Sequence, residues 1–338
     1  MNLRHSYSLA VLLVSSATAS VAASATAQIV RTANAFLSSL DDKQRQTVSF
    51  AFDDDKQRVR WSNFPVQMVR RGGISLKEMN AEQRQAAMAF LASLLSTRGL
   101  EKVQQIMDGD EAQAGNGRGG AMFGKELYYF SILGTPSEKD PWMVQFGGHH
   151  LALNVTIAGE QGVLTPSLTG AQPSLFTQNG KTVRPLGQES DKALALLDAL
   201  DETQRKKAIL DYRVRDLVLG PGKDGQTIQL EGLKVSEMNE AQRTMMLELI
   251  AEWAGIVQDS AAELRMAELK VDLDQTWFAW SGPTTVTRGR NISAYYRIQG
   301  PKLVIEYAPQ GMGGDPSMHV HAMYRDPTND YGRGLTKK

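Results

Sequence analysis

The sequence predicts an α+β protein built as a tandem duplication, each half running from helices into antiparallel strands. The halves are expected to be related by a pseudo-twofold axis within a single compact unit. Two kinds of observation carry this. Leu40-Asp41-Asp42-Lys43-Gln44-Arg45 recurs as Leu200-Asp201-Glu202-Thr203-Gln204-Arg205, and Glu78-Met79-Asn80-Ala81-Glu82-Gln83-Arg84 recurs as Glu237-Met238-Asn239-Glu240-Ala241-Gln242-Arg243. Arg58-Val59-Arg60 is echoed in Arg213-Val214-Arg215, again at an offset of about 160 residues. Repeats this long are duplicated half-domains rather than solenoid units. The second observation is the order of patterns, which is the same in both halves.

Each half opens at an aspartate, Asp41 or Asp201, that starts a short helix before a basic, glycine-containing loop. Asn80 or Asn239 then stands at an N-cap position. The long helix that follows carries Ala86, Met88, Ala89, Phe90, Leu94 and Leu95 in one half. Met246, Leu247, Leu249, Ile250, Trp253 and Ile256 recur in the other at helical spacing, as a core stripe. Aromatic strands come next, Tyr128 to Leu133 and Thr276 to Ser281, each closed by a Gly/Pro turn. A second strand (Trp142 to Phe146; Tyr295 to Gln299) leads through Gly147-Gly148 or Gly300-Pro301 to a third. The halves are expected at 28–180 and 181–338.

Residues 1–27 read as a signal peptide. Arg4 and His5 precede the apolar run that opens with Leu9-Ala10-Val11-Leu12-Leu13-Val14, and Ala25-Thr26-Ala27 is a small-x-small cleavage pattern. The run is too short to be read as a membrane anchor. The mature chain is therefore expected to be exported, periplasmic or extracellular, with no membrane span. It holds about 310 residues, enough for a substantial core. The 37 basic and 37 acidic residues balance, against a nucleic-acid or membrane-surface binder. Cysteine is absent, which removes disulfides, thiol nucleophiles and cysteine-type zinc sites. Asn154-Val155-Thr156 and Asn291-Ile292-Ser293 fit the glycosylation sequon, a weak signal behind a bacterial type of leader. Gly220-Pro221-Gly222-Lys223-Asp224-Gly225 reads as a turn, since it lacks the spacing of a nucleotide loop. No serine-nucleophile elbow is found around Ser167.

Beyond the leader the histidines come in two pairs, His149-His150 and His319-Val320-His321. With no cysteine, metal or acid–base chemistry is concentrated there. Strand alternation sets His149 with apolar Leu151, Leu153 and Val155, as a packed, hydrogen-bonded core histidine. It sets His150 on the other face with Asn154. Aligning the glycine turns matches His150 to Lys302 and Asn154 to Glu306. His319 and His321, two apart, point the same way on a strand, so their nitrogens can converge on one ion. The proposed ligands are His150, His319, His321 and Glu306, for a divalent transition metal such as Zn²⁺, Mn²⁺ or Fe²⁺. Glu306 is alternatively a general base for a metal-bound water. Asn154, Arg325 and Lys302 would orient an anionic or carbonyl-bearing substrate. A Glu306–Arg325 ion pair is the plain structural alternative.

Gln145-Phe146-Gly147-Gly148-His149-His150-Leu151-Ala152-Leu153-Asn154 gives the chain a family likeness. With Pro166 to Pro173, Arg184-Pro185-Leu186-Gly187 and Tyr324 to Gly332, it resembles the DUF3500 family, whose function is unknown. The resemblance covers nearly all of the mature chain. It implies an exported protein and brings no residue roles. Two functions are expected from the residues: a metal-dependent enzyme, most plausibly a hydrolase acting on a small-molecule or peptide ligand, or a non-catalytic ligand- or metal-binding protein.

Overall fold

The computed structural model describes residues 25–115, 122–311 and 314–336. The expected leader lies outside these up to residue 24. Helix α1 covers 25–39 and is followed by α2 (Asp42–Val48), β1 (Ser49–Phe50), α3 (Asp55–Arg58) and β2 (Ile74–Ser75). Two longer helices, α4 (Ala81–Leu94) and α5 (Thr97–Gly115), complete the first helical group. Strands β3 (Tyr129–Leu133), β4 (Trp142–Gly148), β5 (Leu151–Ala158), β6 (Gln161–Leu164) and β7 (Ser167–Ala171) come next. A small hairpin, β8 (Phe176–Gln178) and β9 (Lys181–Val183), leads to α6 (Gly187–Asp198) and α7 (Glu202–Ala208). Then come β10 (Leu233–Lys234), α8 (Glu240–Ala254) and α9 (Asp259–Val271). The chain closes with β11 (Trp277–Ser281), β12 (Tyr295–Gly300), β13 (Leu303–Pro309), β14 (Val320–Arg325) and α10 (Arg333–Thr336).

The repeated motifs have a visible job. Asp41 and Asp201 each close a capping box with the glutamine three residues on, Gln44 or Gln204. Asn80 with Gln83 and Asn239 with Gln242 do the same for α4 and α8. The two boxes at each occurrence are tied together. Gln44 donates to the Glu78 carbonyl and Gln83, and Gln204 to the Glu237 carbonyl and Gln242.

All strands but β8 and β9 form one 12-stranded mixed sheet, ordered β1-β3-β4-β5-β7-β14-β13-β12-β11-β10 along its main path. Only β1 pairs in parallel, on β3; the other pairings are antiparallel. At the middle β7 meets β14, with Ser167 opposite Tyr324 and Gly170 opposite His321.

Alternation along the strands gives the sheet two unlike faces. On one, Phe130, Val144, Phe146, Leu151, Leu153, Ile305, Tyr307 and Ala322 pack against Phe36, Phe90, Ile106, Met246 and Trp253 from the helices. Full burial of each such large side chain contributes roughly 1.5–3 kcal/mol. The other face is covered by irregular chain. Trp61 and Tyr331 pack there on Met143, Ala152, Leu168 and Met323. Beneath this cover lie the sheet's buried polar groups, among them Gln145, Asn154, Arg297, Glu306 and Arg325.

Candidate metal centre

His149 and His150 do not lie on a strand. They are the two-residue turn between β4 and β5, flanked by the paired residues Gly148 and Leu151. His150, the second residue of the turn, takes a left-handed backbone, φ 59°. The face assignment from alternation therefore fails for these two residues, because alternation begins only at Leu151. The turn carries His150 over β7. There a Cβ on Gly170 would stand 2.7 Å from the Val320 carbonyl oxygen and 3.1 Å from His150 Cδ2, so only glycine leaves room for the ring.

His319 immediately precedes β14 in extended backbone, and His321 lies within it. Both point the same way, as their spacing predicts. His319 Nε2 lies 2.9 Å from His150 Nε2 and 3.0 Å from His321 Nε2. The three residues offer ligand atoms that all lie within 4.8 Å of one another, and all three residues are buried. Metal–nitrogen bonds of 2.0–2.1 Å in a tetrahedral site hold ligand nitrogens about 3.3 Å apart. The two separations from His319 fall a few tenths of an ångström short of that spacing.

The electrostatics favour neutral rings, the form that binds metal. Burial first, then the neighbouring imidazoles, holds His150 well below the ordinary histidine range. Burial and His321 push His319 down to about 3. Burial also lowers His321, against the nearby Asp216 carboxylate. The outer nitrogen of His321 lies 3.3 Å from Asn63 Nδ2 and 3.9 Å from Asp216 Oδ1. The Nδ1 atoms of His150 and His319 are buried without a hydrogen-bond partner.

His149 is buried and hydrogen-bonded, as expected, but its partner is an acid the sequence reading passed over. His149 Nδ1 lies 2.9 Å from Asp110 Oδ1 on α5, and its ring rests on that of His150 with centroids 3.6 Å apart. Tyr128 Oη lies 2.9 Å from the other Asp110 oxygen and 2.8 Å from the His149 carbonyl oxygen, fastening helix to turn. A signal for Asp110 was present. Val103, Ile106 and Met107 form the buried stripe of α5, and Asp110 takes the next place in it. An acid in an apolar stripe requires a partner. Asn63, on a loop, had no comparable signal.

Glu306 does not join the imidazoles. Its carboxylate accepts hydrogen bonds from the backbone N–H groups of Val218 and Leu219, at 2.7 and 2.8 Å, and from the Tyr295 hydroxyl at 2.8 Å. It belongs to neither of the two groups with metal-binding spacing among the described residues. Arg325 is likewise committed elsewhere, to Asp224, Asp330 and the carbonyls of Leu219 and Gly220. The expected Glu306–Arg325 pair is replaced by these contacts. Asn154 bridges Gln145 and the Pro166 carbonyl. Lys302 pairs with Glu268 and Asp272.

A cavity of about 650 Å³ lies outside the centre, lined by Arg213, Arg215, Asp216, Tyr295 and Gln310 among others. It reaches the histidines through Asp216 and through Gln310, whose N–H donates to the His319 carbonyl. A larger cavity, about 990 Å³, runs along α5, α6 and α8 and is lined by none of the four histidines.

Residues 22–333 match the model of a protein family of unknown function, DUF3500. The chain belongs to this family. The match spans both histidine pairs and both helix-then-strand passages, so every residue of the centre lies within DUF3500 sequence. No curated protein and no solved structure matches the chain. Among the described residues, no helix is long and apolar enough to cross a membrane.

Proposed function

We propose that this DUF3500 protein binds a divalent transition metal through His150, His319 and His321 and uses it as a hydrolase. The observation that carries the reading is the convergence of three buried Nε2 atoms contributed by segments far apart in the chain. Three protein ligands leave a fourth position for water, the ligand count of catalytic rather than structural zinc. A bound water acidified by the ion would supply the nucleophile. The cavity beside Asp216 and Gln310 would admit the substrate, with Arg213 and Arg215 on its wall. Glu306, Asn154 and Arg325 serve in this reading to hold the cover of the sheet.

A second reading, non-catalytic metal binding, is favoured by the burial of the centre. His150 is fully buried, and His319, the most open of the three, is 9% exposed. Metal analysis after metal-supplemented preparation tests both readings. One equivalent lost in His319→Ala plus His321→Ala supports the centre, and less than a tenth of an equivalent in the wild type removes it. A hydrolase screen then separates enzyme from binder. Turnover lost with the metal is the enzymatic outcome.

Export of the mature chain and tandem duplication of 28–180 and 181–338 belong to the same reading. The duplication is supported by the matched capping boxes and by the placement of β7 and β14 at the middle of the sheet. The two-residue turns at His149-His150 and Pro301-Lys302 also correspond.

A further inference from the structure

We propose that Asp110, His149 and His150 form a second cation position that shares His150 with the three-histidine centre, on whose existence the inference rests. The two positions lie on opposite nitrogens of one ring. Nε2 of His150 faces His319, while its Nδ1 lies 3.8 Å from Asp110 Oδ1. That Nδ1 is buried without a hydrogen-bond partner. The separation is too long for a hydrogen bond. It is the spacing of two atoms bound to a common ion, since two bonds of about 2.1 Å span roughly 3–4.2 Å as their angle opens from 90° to 180°. His149 Nδ1, 2.9 Å from the same oxygen, completes a set of ligand atoms lying within 4.8 Å of one another.

Charge points the same way. Asp110 is 2% exposed, and among the described residues its ion-pair partners are His149 and His150 alone. A buried carboxylate requires a compensating cation or a proton. The corresponding turn between β12 and β13 lies at the surface and carries its own cation. There Lys302 places an ammonium 3.1 Å from Glu268 and 3.6 Å from Asp272. At the His149-His150 turn Arg71 is spent on the Gly148 carbonyl, no lysine or arginine among the described residues pairs with Asp110, and the positive charge is supplied by an ion.

A neutral imidazole carries one ring proton. With an ion on each nitrogen of His150, that proton leaves to solvent, and the bridging imidazolate binds both ions. No electron is transferred.

Zn²⁺ titration of the full chain, read by metal analysis after gel filtration, tests this. The wild type is expected to hold two equivalents. Asp110→Asn is expected to hold one, and His319→Ala plus His321→Ala to lose one of the two. A wild type that saturates at one equivalent, unchanged by Asp110→Asn, overturns the second position and leaves the three-histidine centre standing. Binding of none overturns both. The Cu²⁺-loaded wild type requires no variant: two ions bridged by one imidazolate give a spin-coupled EPR spectrum with a half-field transition. An isolated Cu²⁺ spectrum at saturation overturns the bridge.

Discussion

His150 and His319 are 169 positions apart in the chain, and their Nε2 atoms are 2.9 Å apart in space. The sheet makes that meeting. β5 pairs with β7 at Leu151 and Ala152, and β7 pairs with β14 from Ser167 to Ala171. The turn ahead of β5 is thereby held beside the start of β14, with Gly170 as the floor between them.

The backbone of His150 gives a first test. A non-glycine residue at φ 59° costs about 1 kcal/mol that glycine does not incur. In chelator-treated protein, His150→Gly should therefore be more stable to urea than His150→Ala by about 1 kcal/mol. Both variants should lose the metal of the three-histidine centre. Equal urea midpoints for the two would show that the turn is unstrained.

Glu306 is expected to govern stability rather than metal binding. Glu306→Gln replaces a carboxylate oxygen facing a backbone N–H with an amide or a lost acceptor, at a cost of about 1–3 kcal/mol. Metal content should stay at the wild-type value. Loss of metal without loss of stability would return Glu306 to the ligand set.

Arg325 carries a larger penalty. Its guanidinium, 2.9 Å from Asp224 and 2.8 Å from Asp330, neutralises acids beneath the cover of the sheet. Arg325→Gln leaves the buried Asp330 without its cation and should cost about 3–5 kcal/mol in a urea titration. A loss below about 1 kcal/mol, with substrate turnover abolished, would favour the substrate-orienting role the sequence suggested.

The pH dependence follows from His319. Its folded value of about 3 lies below the ordinary histidine range, near 6.5, so the unfolded chain binds the extra proton first. Its contribution to stability is complete above about pH 6.5 and is lost as the pH falls toward 3. Within that window the loss approaches about 1.4 kcal/mol per pH unit for each such ring. Urea midpoints of chelated wild type and His319→Gln at pH 7, 5.5 and 4.5 read the difference. The wild type should fall more steeply with acid, and parallel lines would show that His319 takes up its proton alike in the folded and unfolded chain.

Much of the fold was legible because it is local. The repeated Asp41/Asp201 and Asn80/Asn239 motifs are capping boxes, set by hydrogen bonds across three residues. Period-two alternation placed Leu151, Leu153, Leu303, Ile305 and Tyr307 on the helix-covered face, where they pack. The same rule misplaced His149 and His150, since Gly147-Gly148 resembles the turn and is the end of β4. For Glu306 the strand was right. Its direction of bonding was set by the loop at Val218 and Leu219, nearly ninety residues earlier, which no strand pattern encodes.

The sequence by itself determined the capped helix starts at Asp41, Asp201, Asn80 and Asn239, the strands β3 to β5 and β11 to β14, the faces they bury and the grouping of histidine into two pairs. Those features follow from interactions within a turn of helix or along a single strand, and residue spacing records them. Only the tertiary structure decided that three imidazoles meet, that Asp110 and not Glu306 stands beside them, and that Arg325 is held by Asp224 and Asp330. Such contacts depend on which strands become neighbours and in what register. The free energy that selects the pairing of β7 with β14 is spread over the whole sheet and its two covers, not written in any one motif.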